Sequence, residues 1–316
     1  MHLFLDYSPY SSYIYSVNVQ SYIGNPFMRD IRTEIDEINE IVPFPAVITE
    51  ILTALSKDDV STGKITRLIE ADPALTANIL RAANAPYYGI RGYVKNVTSA
   101  IALVGLDETS RLLLAYHMKQ RLIFLNMQQW GNLESLWKHS ISTAALARVI
   151  ASRFKFKTGE KEFTAGLLHD MGKLVLIQYF PDSLSVTRSM IKELGMRDVE
   201  AERQTLAISH TEIGGHLGTK WAIPPEFVEV MQSHHEAAEA TVDPVLTAVV
   251  RFADLLCEQW GHGINEQPEG FSIEDDACWN ILKAAEPSFG QRAPGEVGQE
   301  LIGDFEKSKG LIQLLA

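Results

Sequence analysis

Two cysteines, Cys257 and Cys278, are all that the 316 residues contain, and they form no CxxC arrangement. They offer neither a disulfide framework nor a thiolate metal site. Long apolar runs are missing too, so no segment has the length needed to span a bilayer. The N-terminus, MHLFLDYSPYSSYIYSV, lacks the basic start, continuous apolar stretch and small-residue cleavage site of a secretory signal. The chain reads as cytoplasmic, with no membrane partner. Basic charge is scarce: 28 Lys and Arg stand against 40 Asp and Glu, giving a net charge of −12. That balance opposes binding to a phosphate backbone, which depends on clustered Lys and Arg. No basic stripe with interleaved aromatics offsets it, and direct nucleic-acid binding is not expected. Internal repeats, low-complexity tracts and runs of alternating strand pattern are absent as well.

What remains is ordinary globular composition, 46% hydrophobic and 22% charged, arranged in helical periods. The length allows one large domain or two medium ones. Residues 1–27 form a Tyr- and Ser-rich leader without helical period. Residues 28–130 then read as a first block of short helices. Pro43 and Pro45 interrupt the pattern. The stretch from Ala46 to Leu55 places Val47, Ile48, Ile51, Leu52 and Leu55 on one face. Ser61 is placed to cap a helix carrying Ile65, Leu68 and Ile69. Asp72-Pro73 restarts a helix, Asn84 to Gly89 must turn, and a helix from Val97 to Leu103 stops at Gly105 in a left-handed conformation. A polar stretch at Gln128–Asn132 joins this block to a second, residues 131–261. Residues 262–316 supply a Gly-, Glu-, Asp- and Pro-rich loop and two amphipathic helices, around Glu274–Ala285 and Gly295–Leu315. The expected fold class is all-α.

The second block contains one constellation able to carry chemistry. It comprises His139 in LWKHS, His169 and Asp170 in LLHDMGK, His210 in ISHTEIG, His234 and His235 in MQSHHE, and Asp254 in RFADLL. Imidazole and carboxylate together suit divalent Fe, Mn, Zn or Ni. Seven ligands exceed what one ion needs and fit two ions sharing a carboxylate, an arrangement that activates water and neutralises phosphate oxygens. Lys173, one turn after His169, could stabilise charge on a phosphoryl group. Adjacent pairs such as His169-Asp170 and His234-His235 point about 100° apart on a helix. They converge only near a helix end or when two ions lie side by side. The competing readings are a set of hydrogen-bonded core histidines and a salt bridge of Asp254 with Arg251. His216 falls on another face, and His2, His117 and His262 read as surface or packing residues. Tyr87 and Tyr88 form either an interface or a plug between the blocks.

The strings PFPAVITEIL, ITRLIEADPALTANILRAANAPYYG and VTSAIALVGLDETSRLLL resemble the N-terminal half of the HDOD family, over roughly residues 40–260. Ala85 stands where that family usually has Ser. The histidine and aspartate pattern resembles the wider HD superfamily of metal-dependent phosphohydrolases, including its HD-GYP branch. The resemblance implies an N-terminal multi-helix subdomain packed on an HD-like helical domain. It also implies that His139, His169, Asp170 and Asp254 hold one ion, and that Asp170 bridges to a second held by His210, His234 and His235. Lys173 matches the lysine of the HDxGK motif, and with Asp170 it would take part in attack of a metal-activated water on a phosphate ester. EAAEATVDPV follows His235 with no Gly-Tyr-Pro signature, which removes support for cyclic-di-GMP as substrate. Ser135 stands where three-metal members have Glu, which speaks against a third ion. Two functions are expected from this. One is a bacterial signal-transduction module that relays metal or nucleotide state to a protein partner. The other is an active phosphohydrolase acting on a nucleotide or phosphodiester.

Overall fold

The computed structural model describes residues 25–37, 46–56, 61–90, 92–125, 130–264 and 271–315. Most of the expected leader, both Pro43 and Pro45, and residues 128 and 129 of the joining stretch lie outside the described residues. Within them the chain is all-helical, with no strand.

The first block is built from α1 (Arg32–Glu37), α2 (Ala46–Ser56), α3 (Thr62–Glu70), α4 (Pro73–Ala83), α5 (Val97–Val104) and the long α6 (Leu106–Leu125). Ile48, Ile51, Leu52 and Leu55 of α2 are buried, as their spacing predicts. Asp72 caps α4, its carboxylate accepting the amides of Ala74 and Leu75. Pro73 takes the first helical position, where its missing N–H is not needed. Ser61 occupies the cap position of α3, but its hydroxyl makes no capping bond. Its carbonyl instead receives the Lys64 and Ile65 amides. Gly105 ends α5 at φ 97° and ψ 151°, on the positive-φ side expected but outside the left-handed helical region. The chain must pass directly into α6 there, and such a positive φ requires glycine.

The Asn84–Gly89 turn contains a 3-10 turn at Pro86–Tyr88. The Asn84 side chain pins the loop by accepting the Val94 amide and donating to the Leu80 and Val94 carbonyls. The Tyr88 hydroxyl donates to Glu108 at 2.9 Å, and Arg148 donates to the same carboxylate at 2.7 Å. Both tyrosines pack half-buried against the apolar core, and Tyr88 links the two blocks through Glu108 and Arg148.

The second block comprises α7 (Trp130–Phe154), α8 (Glu162–Leu168), α9 (Met171–Tyr179), α10 (Pro181–Leu194), α11 (Asp198–Leu206), α12 (His210–Lys220), α13 (Pro225–Ser233) and α14 (Pro244–Gln259). Trp130–Asn132, read from sequence as part of the join, form the first turn of α7. Their polar groups find partners: the Asn132 side chain accepts from Arg188, and the Gly131 backbone carbonyl accepts from Ser135. After a 3-10 turn at Ile273–Asp275 come α15 (Ala277–Ala285) and α16 (Pro294–Leu315). Helix α7 is central, packed by α8, α14 and α16, while α12 packs on α9 and α13. One continuous apolar core runs from Ile31 to Leu315, so both blocks share it. No described helix is long and apolar enough to cross a membrane.

Candidate metal centre

Breaks between helices deliver the adjacent pairs. Helix α8 ends at Leu168 and α9 begins at Met171, which leaves His169 and Asp170 in the joint. Helix α13 ends at Ser233, and His234 and His235 open a short 3-10 turn kinked at Glu236. His210 is the first residue of α12, placed by a reciprocal capping box between Ser209 and Glu212. His139 and Asp254 project from the middles of α7 and α14.

These elements bring all seven sequence-identified residues into one buried cluster, the most exposed being His235 at 7%. Two groups of donor atoms can be separated. In the first, His139 Nε2 lies 3.2 Å from His169 Nε2, 3.5 Å from Asp170 Oδ2 and 3.1 Å from Asp254 Oδ1. In the second, His210 Nε2 lies 3.2 Å from Asp170 Oδ1 and 3.5 Å from His234 Nε2. His234 Nε2 lies 3.6 Å from that same Asp170 oxygen. Asp170 therefore gives one oxygen to each group.

Tautomers follow from the outer partners. His139 Nδ1 donates to the His262 carbonyl, His169 Nδ1 to Gly166, and His234 Nδ1 to Val230. His210 Nδ1 donates to the Glu202 carboxylate at 2.7 Å. Each neutral ring so held turns a bare Nε2 lone pair inward. Lone pairs and carboxylate oxygens facing one another at such distances repel unless a cation or proton lies among them. An ion about 2.0–2.2 Å from each ligand spans ligand–ligand edges of roughly 3.0–3.5 Å, close to those observed. Asp170 Oδ1 is buried with no hydrogen-bond donor, though bare His210 Nε2 is near. The donor set fits divalent ions at both groups.

The charge balance points the same way. Lys173 and Arg251 are the cations placed directly on the cluster. Lys173 Nζ lies 2.9 Å from Asp170 and 3.0 Å from Asp198. Arg251 lies 3.0 Å from both Asp254 and Asp276. With Glu202 included, buried carboxylates outnumber these cations, an arrangement that is costly without further positive charge. Burial alone would raise the Asp170 carboxyl, but Lys173 and His169 outweigh it and hold it well below the usual range. Burial opposes the charge on His210, yet Glu202 and Asp170 push its pKa up to about 10, so without an ion a proton takes the Nε2 lone pair that faces Asp170. His234, with burial dominant, falls to about 4.

Sequence reasoning missed Asp198, Glu202 and Asp276. Asp198 and Glu202 stand one turn apart on α11 and are both buried, but the string RDVEAERQ reads as a solvated charged face. The Asp254–Arg251 salt bridge exists, yet it occupies Oδ2 and leaves Oδ1 facing His139. His262 contributes its carbonyl rather than its ring. His216 is exposed, away from the cluster.

The comparisons with known proteins agree with this architecture. The chain is 25% identical over 226 residues to an uncharacterized protein of Treponema pallidum, covering 70% of this chain but 42% of that protein. It is 32% identical over 126 residues to ribonuclease Y of Geobacillus thermodenitrificans, covering 39% of this chain and 18% of that enzyme. The chain thus spans less than half the length of either relative. Among solved structures, an HDOD domain protein of unknown function from Geobacter sulfurreducens shares the fold. It superposes with a TM-score of 0.73 at 22% identity, covering 90% of this chain and 94% of that one. The model of the HDOD domain matches residues 41–237, well over half of the sequence, and the chain belongs to the HDOD family.

Proposed function

We propose that this protein is a regulatory, signal-transducing module in which a dinuclear divalent-metal centre fastens the second helical block and reports its state to a protein partner through the first. The observation that carries this reading is enclosure: a complete set of ligand atoms, every one on a buried residue. A centre so covered suits holding a fold in one of two states better than admitting a polymeric substrate.

His139, His169, Asp170 and Asp254 would hold one ion, and Asp170, His210 and His234 the other. When bound, such ions supply Lewis acidity and charge neutralisation toward phosphate oxygens. The chain's own residues do the positioning. Backbone carbonyls fix three imidazoles, Glu202 fixes the fourth, and Lys173 clamps the shared Asp170. The route toward the first block is physical. Helix α7 carries His139 in the centre and Arg148 at the Glu108–Tyr88 junction.

A second reading, a working phosphohydrolase, is favoured by the two donor groups sharing one carboxylate and by the similarity to ribonuclease Y. RNA is the first phosphodiester to try, although the charge of −12 works against it. Elemental analysis of untagged protein beside a His169→Ala/Asp170→Ala double variant tests the centre. About two equivalents of Fe, Mn, Zn or Ni, lost in the variant, are expected. Metal-free protein prepared without chelator, with an equally stable variant, would leave a helical interaction scaffold. Turnover of RNA or a cyclic nucleotide by the loaded protein would move the assignment to the second reading.

A further inference from the structure

Resting on the two-ion reading, we propose that His235 does not ligate the second ion. Instead it donates a hydrogen bond, through Nε2–H, to a phosphate-type oxyanion bound there, with Arg251 fixing its tautomer.

Arg251 Nη1 lies 3.1 Å from His235 Nδ1. A guanidinium only donates and stays protonated in proteins, so Nδ1 must supply the lone pair and the proton must sit on Nε2. The other four imidazoles of the centre have the opposite arrangement, with Nδ1–H outward and Nε2 bare. An ion on His235 Nε2 would force a proton onto Nδ1, setting two donors face to face. Arg251 has little freedom to turn away. Its Nε donates to Asp276 and its Nη1 to Asp254, each at 3.0 Å, and it is 2% exposed. Asp198 Oδ1 is the nearest carboxylate to Nδ1, and at 3.7 Å it is beyond hydrogen-bond reach.

The donor is also unpaired. His235 Nε2 is buried without any hydrogen-bond partner, and an unmet buried N–H costs about 1–3 kcal/mol. Its ring stands beside the second group of ligands, with centroids 5.0 Å from His210 and 4.4 Å from His234. That group then has three protein ligands, His210, His234 and Asp170, and a place for an exogenous one. Lys173 already turns its ammonium to Asp170 and Asp198, whereas the His235 Nε2–H has no partner at all. An oxyanion satisfies the orphan N–H and the ion together. His235 is the most exposed member of the centre, so the anion would enter on its side.

The test uses full-length protein loaded with Mn²⁺, with inorganic phosphate as the probe. Wild type, His235→Ala and His235→Gln are compared by elemental analysis and by calorimetric phosphate titration, with thermal melts to establish folding. Both variants should keep the wild-type metal content. Phosphate affinity should fall about tenfold or more in His235→Ala and return largely in His235→Gln, which keeps an N–H donor. Loss of one metal equivalent from both variants would make His235 a ligand and overturn the proposal. Equal phosphate affinity in wild type and His235→Ala, or no phosphate binding to the loaded wild type, would overturn it as well. Fewer than two ions in wild type would refute the two-ion reading itself, and that is seen before any variant is compared.

Discussion

Gly172 packs so tightly against His210 that a Cβ built on it would stand 1.8 Å from the His210 carbonyl oxygen and 2.9 Å from the Gly214 amide nitrogen. The glycine of the HDMGK segment therefore sets the approach of α9 to α12, and with it the distance from Asp170 to His210. Backbone cannot swing aside as a flexible side chain can. Gly172→Ala should destabilise the protein by about 3 kcal/mol, at the upper end of overpacking costs, and should lower metal content by about one equivalent. Urea denaturation and elemental analysis check both. A variant as stable as wild type, with full metal, would show that the two helices can separate without loss.

Glu202 is the one carboxylate partner among the outer bonds of the centre's inward-facing imidazoles, accepting both the Nδ1–H and the backbone amide of His210 at 2.7 Å. Such a partner orients a ligand ring and raises its basicity. Glu202→Gln should weaken the more labile metal equivalent by about 10–100-fold, with the other equivalent unchanged. Competition with a fluorescent chelator reads the two affinities. A uniform fall in both would tie the effect to general loosening of α11 instead.

These two residues also mark what the sequence could reveal. The histidines, Asp170 and Asp254 were legible because imidazole and carboxylate amid apolar residues need a reason to be there. The helical architecture was legible from apolar spacing and from proline, glycine and Asp72. Glu202 and Asp198 were not, because a charged residue on a charge-rich helix looks the same whether it meets water or His210. Which ring nitrogen faces inward was equally hidden, since it depends on carbonyls such as those of Gly166 and His262, which every residue possesses. The conformation at Gly105 escaped for another reason: the spacing marks a stop, but the path into the next helix selects its ψ.

Lys173 holds two buried carboxylates, Asp170 and Asp198, with one ammonium. Removing the cation leaves both uncompensated. Lys173→Met should cost about 3–5 kcal/mol in protein stripped with chelator. In the loaded protein an ion on Asp170 supplies positive charge, and the loss should shrink. Paired urea melts with EDTA and with Mn²⁺ measure the two gaps. Equal gaps would mean that metal does not share Asp170 with Lys173.

Glu226 on α13 ties both neighbouring elements to its helix, accepting from Ser56 of α2 at 2.6 Å and pairing with Lys161 at 2.9 Å. Burial alone would raise its carboxyl, but the Ser56 hydrogen bond and Lys161 outweigh it, so its pKa lies below the ordinary 4.5. The unfolded chain therefore takes up its proton first as pH falls. The stabilisation from Glu226 is complete above the unfolded pKa and is lost as pH drops through the lower folded value. Wild type should thus exceed Glu226→Gln in stability by a constant margin at neutral pH, and the margin should close below pH 4.5. Urea midpoints of the two proteins across pH 3 to 7 test this. A margin that widened on acidification would require the folded pKa to be raised, which the Ser56 and Lys161 contacts oppose.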